Sequence, residues 1–147
     1  MNDLEKVLSS ASSLSWKIGE LLKESKFEEY DDLSGLNINS KDEEQLLLQD
    51  ELRGILDHLD KAKRDIDYLN RPIAYTGYLY RNSRGRYETG VKEYTSGNGI
   101  EILIYDDFYE KNRWVKTRVE HNGKDYYLVG YGNISMQGLK VRIRKSL

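Results

Sequence analysis

Residues 66–76 read Ile66-Asp67-Tyr68-Leu69-Asn70-Arg71-Pro72-Ile73-Ala74-Tyr75-Thr76, and the chain changes character inside this stretch. Upstream, apolar residues recur every three or four positions, the period of a helix with one buried face. Downstream, Tyr-, Val- and Ile-rich runs alternate with Gly and Asn, the mark of short strands and tight turns. Pro72 disfavours helical geometry at Arg71. The stretch therefore predicts an α+β chain with a helical part over residues 1–71 and a β part over residues 72–147.

Working back from the junction, Leu48, Leu52, Ile55, Leu59, Ala62, Ile66 and Leu69 are spaced 4, 3, 4, 3, 4 and 3 apart. That is an a/d alternation over three heptads. Ser40 followed by Glu43 has the form of a capping box, which places a helix over about residues 41–69. Gly54 costs about 1 kcal/mol inside it and offers room for another backbone. A first stripe, Leu4, Val7, Ala11, Leu14, Ile18 and Leu21, widened by Leu8 and Leu22, predicts a helix over roughly residues 3–26 with Asn2 as its cap. Residues 27–39, with Asp31-Asp32 and Gly35, form the connection. The simplest assembly is a coiled-coil-like antiparallel helical hairpin, its two stripes facing each other. Two narrow stripes bury little, so a further surface is expected to cover them: the β part, a second copy in a homodimer, or another protein.

Working forward, strands are expected over Ile73–Tyr80, Arg86–Thr89, Ile100–Tyr105, Arg113–Glu120, Asp125–Val129 and Leu139–Arg144. Asn122-Gly123 tolerates the positive φ of a tight turn. In the strand over Arg113–Glu120, Val115, Thr117 and Val119 share one face, and Trp114 is expected in the core, with a ligand contact as the alternative. Five or six short strands in about 75 residues favour a small antiparallel barrel that removes its edges by closure. Residues 113–129 (RWVKTRVEHNGKDYYLV) resemble the SH3-like or Tudor-like pattern of a tryptophan-led strand, a tight turn and an aromatic strand.

Four segments carry a closer resemblance: GYLYRNSRGRYE (77–88), TSGNGIEILI (95–104), WVKTRVEHNGKDYYLV (114–129) and GLKVRIR (138–144). As an ordered set, over about residues 73–145, they resemble a small domain of unknown function found in Gram-positive bacteria, their phages and their integrative elements. The resemblance implies no catalytic residues. It implies an added helical module here and, by association with mobile elements, a host take-over or anti-defence role such as CRISPR inhibition.

The chain has 147 residues, no Cys and one Pro, and a net charge of −2. The absence of Cys excludes disulfides and thiolate metal sites. No apolar run approaches the ~20 residues of a membrane span, and the first residues lack the pattern of a signal peptide. A cytoplasmic protein of a bacterial host is expected. Residues 1–71 carry 17 acidic and 10 basic side chains, a net of −7; residues 72–147 carry 8 acidic and 13 basic, a net of +5. The two histidines, His58 and His121, sit on a helix and at a turn, and no nucleophile, phosphate or metal pattern surrounds them. No enzyme activity, cofactor or metal is expected.

Ten of the twelve tyrosines lie in the β part, more than so small a core holds. Tyr buries area while keeping a polar end, which suits interfaces. The candidate partner-binding residues are Tyr78, Tyr80, Arg81, Arg84, Arg86, Tyr87, Arg113, Lys116, Arg118 and Tyr126. Such a surface suits a protein partner. Arg interleaved with aromatic rings also suits nucleic acid, through stacking and phosphate contacts.

Overall fold

The structure is a computed structural model that describes residues 1–146. Two helices precede an antiparallel β region, and the chain divides after Arg71 into two compact units.

In the first unit, α1 spans Asp3–Glu24 and α2 spans Glu43–Asn70. The α1 cap is the expected one. The Asn2 side chain accepts from the Glu5 N–H at 2.7 Å, and the Glu5 carboxylate accepts from the Asn2 N–H at 3.1 Å. At α2 the expected capping box is replaced. Asp42, not Ser40, accepts from the Glu44 N–H at 3.0 Å, so the helix starts two residues late. A carboxylate there also complements the helix dipole. Arg71 is extended, as the following Pro72 requires.

The helices touch through an unexpected seam. Ser15 donates to Asp67 at 2.7 Å, the Asn70 amide donates to Ser12 at 2.7 Å, and Gly19 lies against the Lys63 side chain. Residue numbers fall along α2 as they rise along α1. The apolar part of the contact is small: Leu22 and Leu56 are buried, joined by Phe27 and Leu33 from the connection. The seam thus runs Ser12, Ser15, Gly19, Leu22 on α1 and Leu56, Lys63, Asp67, Asn70 on α2. Leu22, expected to widen the α1 stripe, is among them, and each member lies one position beyond an a or d residue of the predicted stripe. The stripes do not face each other, and most of their side chains are exposed. Nor does Gly54 admit a neighbour: a Cβ there meets nothing within 4 Å.

The second unit has eight strands: β1 Ile73–Tyr78, β2 Tyr80–Arg81, β3 Tyr87–Glu88, β4 Glu93–Tyr94, β5 Gly99–Asp106, β6 Lys111–His121, β7 Tyr126–Leu128 and β8 Lys140–Arg144. They form a five-stranded antiparallel sheet in the order β1-β8-β5-β6-β7 and a separate sheet β2-β3-β4. The expected closed barrel is not found. Closure would require a ladder from β7 round to β1, and β2, β3 and β4 supply only two residues each. The longest ladder is the β5–β6 hairpin, paired from Gly99↔Arg118 to Asp106↔Lys111. Strand alternation sends Ile100, Ile102, Val115, Val119, Leu128 and Val141 into one core with Leu79, Tyr87 and Tyr94. At the Asn-Gly turn, Gly123 has φ 92° and Asn122 accepts from Lys124 and Asp125 N–H groups.

Candidate binding surface

The alternation that buries Ile100, Ile102, Val115 and Val141 leaves the other face of the sheet to Tyr78, Lys140, Arg142, Glu101, Leu103, Trp114, Lys116 and Arg118. Backbone register sets these side chains in cross-strand rows. Tyr78 lies opposite Lys140, and Leu103 opposite Trp114; Thr76 lies opposite Arg142, which lies opposite Glu101, itself opposite Lys116. Three of the predicted residues, Tyr78, Lys116 and Arg118, are thereby brought onto one face.

Glu101 organises that face. It is only 4% exposed, and a buried carboxylate is costly unless it is paired. Arg144 donates to one of its oxygens at 2.5 Å, and Arg142 donates to the other. The Arg142 guanidinium also lies 4.4 Å from the centre of the Trp114 ring, a cation–π contact. Trp114 is therefore half-buried on the sheet's outer face, not in the core as expected. The core position beside it belongs to Val115.

The other predicted residues gather elsewhere. Tyr80, Arg81, Arg84 and Arg86 lie on or beside the three-stranded sheet. Glu93 accepts from Arg84 at 2.5 Å and Arg86 at 2.9 Å; Asn82 donates to Glu93 at 2.7 Å and Glu88 at 2.6 Å. Tyr80 donates to Glu88 at 2.6 Å, and Arg81 pairs with Asp125 at 3.3 Å. Both glutamates are held below the usual carboxylate range, Glu93 chiefly by Arg86 and Glu88 chiefly by the Tyr80 hydroxyl. The same bonds raise the Arg86 and Tyr80 values. Tyr87 is buried in the core, and Tyr126 packs against it. Burial pushes the neighbouring Tyr94 up to about 12. Arg113 pairs with Asp106 at 3.2 Å and Arg118 with Glu120 at 3.0 Å. All seven arginines of this unit thus meet a carboxylate within it.

One feature escaped the predicted set. At the tip of the β5–β6 hairpin, Phe108 is 84% exposed, with Tyr105 and Tyr109 exposed beside it. The Phe108 and Tyr109 rings meet edge to face at 4.8 Å. The Asp106 side chain accepts from both of their N–H groups, and Glu110 takes a left-handed φ of 52° to close the turn. Asp107 and Glu110 flank the rings. In the sequence this segment reads as a charged connection; only its aromatic content could have signalled it. His121 serves the Asn-Gly turn, accepting from the Gly123 N–H at 3.0 Å, and His58 is exposed on α2. Among the described residues, no group of three or more metal-ligating side chains occurs, and no helix is long and apolar enough to cross a membrane.

Residues 77–143 match the model of a domain of unknown function (DUF5348). The match runs from the end of β1 to Ile143 in β8 and takes in the outer face just described except Thr76 and Arg144, while α1 and α2 lie outside it. No curated protein and no solved structure matches the chain.

Proposed function

We propose that the chain is a non-enzymatic protein-binding module. In this reading α1 and α2 form an antiparallel hairpin, and the β unit presents aromatic and arginine side chains to a protein partner in a bacterial cytoplasm. The observation that carries it is the Phe108–Tyr109 tip. Large rings held out on an ordered turn suit a partner's pocket, where buried aromatic anchors dominate binding energy. Asp107 and Glu110 beside them would repel a phosphate backbone and suit a basic protein surface. In its narrower form, the partner is a nuclease-type defence complex and the chain is an anti-CRISPR-like inhibitor of phage or mobile-element origin that occupies a binding surface. Only the sequence resemblance supports that form.

Affinity purification from bacterial lysate, run in parallel with wild type and with Phe108→Ser/Tyr109→Ser, tests the reading. A protein retained by the wild type and lost from the double variant, at unchanged melting temperature, is the expected result. Equal retention by both, or none by either, counts against it. The second reading is a nucleic-acid-binding β domain with a helical oligomerisation handle. The observation favouring it is the Tyr78, Trp114, Lys116, Arg118 and Lys140 face, since rings and cations on one sheet suit single strands.

A further inference from the structure

The helical unit leaves uncovered the very residues its sequence marks for packing. Leu4, Val7, Leu14 and Leu21 on α1, and Leu48, Leu52, Ile55 and Leu69 on α2, are 39% to 81% exposed. In heptad terms these are a and d positions. The contact between α1 and α2 uses the b and e positions instead: Ser12, Ser15, Gly19 and Leu22 against Leu56, Lys63, Asp67 and Asn70.

Both helices are offset in the same sense, each stripe lying one residue before its seam. Because the seam contacts run in opposite chain directions, equal offsets on two right-handed helices carry both stripes to the same side of the pair. One groove of about 500 Å³ is accordingly lined from both helices, by Leu4, Val7, Leu8 and Ala11 with Ile66 and Leu69. We infer that this face is the contact between two copies of the chain, which meet as a four-helix bundle.

Three observations select a second copy as the occupant. The eight exposed side chains amount to on the order of 700 Å² of apolar surface strung along one side of the pair, near the ~800 Å² per partner of a standard interface. An a/d repeat sustained over three heptads is the pattern that lets a helix dock knobs-into-holes on another such helix, and the other copy supplies two of them. The rims carry one pair of opposite charges at the same level. Residues level with each other in the pair sum to about 82 in number, as the contacts 12–70, 15–67 and 19–63 show. Lys17 of α1 is thus level with Asp65 of α2. A two-fold axis along the helices sets α1 of one copy over α2 of the other and brings these opposite signs together.

This inference is independent of what the β unit recognises. Sedimentation equilibrium of the full chain, between about 1 and 100 µM, tests it. The wild type should reach twice the 17.2 kDa chain mass. Leu52→Glu/Ile55→Glu should sediment as a single chain with undiminished helical circular dichroism. Should that variant lose helicity, Leu52→Ala/Ile55→Ala keeps helix propensity and should weaken self-association at least tenfold. A wild type that stays monomeric to 100 µM, as when the β unit itself covers the face, would overturn the inference. So would a dimer that both variants leave intact, or one that forms only with a foreign protein bound.

Discussion

Glu101 was legible only as one polar position in an apolar strand, and it is the residue on which the outer face depends. Removing it would leave Arg142 and Arg144, both largely buried, without their carboxylate. Breaking such a pair from one side costs about 3–5 kcal/mol. Glu101→Ala should therefore lower the denaturation midpoint of the β unit sharply, measured by urea titration of tyrosine and tryptophan fluorescence. Trp114→Ala should cost far less, on the order of 1 kcal/mol, because its ring loses a cation–π contact and half-buried area, not a core site. A Trp114→Ala protein as unstable as Glu101→Ala would mean the ring is structural after all. The paired carboxylates also set a pH dependence. Glu88, Glu93 and Asp67 ionise more readily folded than unfolded, through Tyr80, Arg86 and Lys63 respectively. Their contribution is fully present above the ordinary carboxylate pKa of about 4 and is lost as pH falls through the lowered values. Stability should hold from neutrality to about pH 5 and decline below about pH 4. Tyr94 works in the opposite direction, its folded value raised to about 12. Its contribution is complete below pH ~10 and disappears as pH rises toward 12, so one tyrosine should resist spectrophotometric titration until the chain unfolds.

At the scale of elements, α1, α2 and the β6–β7 hairpin were legible because periodicity, Asn2, Pro72 and Asn122-Gly123 act locally. Which helix face packs against which was not, since an a/d repeat says that a face will be buried and not by whom. Ser12, Ser15 and Asp67 fall outside the predicted stripes, yet hydrogen bonds between the helices, Ser15 to Asp67 and Asn70 to Ser12, make them the seam. The Asp42 cap was missed because Ser40 competed for the same role in the sequence. Closure failed for a similar reason: alternation identifies strands, but their pairing depends on lengths that Tyr80–Arg81 and Glu93–Tyr94 do not reach. Two substitutions separate the faces of α2. Leu56→Ala should cost about 2–5 kcal/mol, as deletion of a buried leucine does. Gly54→Ala, where a new Cβ meets nothing, should stabilise α2 by roughly 0.5–1 kcal/mol and raise the melting temperature by a few degrees. A destabilised Gly54→Ala chain would reveal a neighbour pressed against that turn.

For the molecule as a whole, the split in charge between acidic helices and basic β unit suits either two solvated surfaces or a β unit that faces an anionic partner. The structure alters the weight of the latter. Each arginine of the β unit is engaged by a carboxylate of the same unit, and that unit's most exposed rings, Phe108 and Tyr109, stand beside Asp107 and Glu110. Of the predicted site, Tyr78, Lys116 and Arg118 come together, the Arg81–Arg86 segment forms its own ion-paired cluster, and Tyr87 goes inside. That last placement could not be read from alternation alone, because β3 is two residues long. The claim that the β unit takes a protein, not a phosphate backbone, is tested most directly by anisotropy titration of labelled single- and double-stranded DNA and RNA with the full chain. In 50 mM salt the account predicts no saturable binding below about 100 µM. Micromolar binding that weakens steeply between 50 and 200 mM salt, the sign of counterion release, would contradict it.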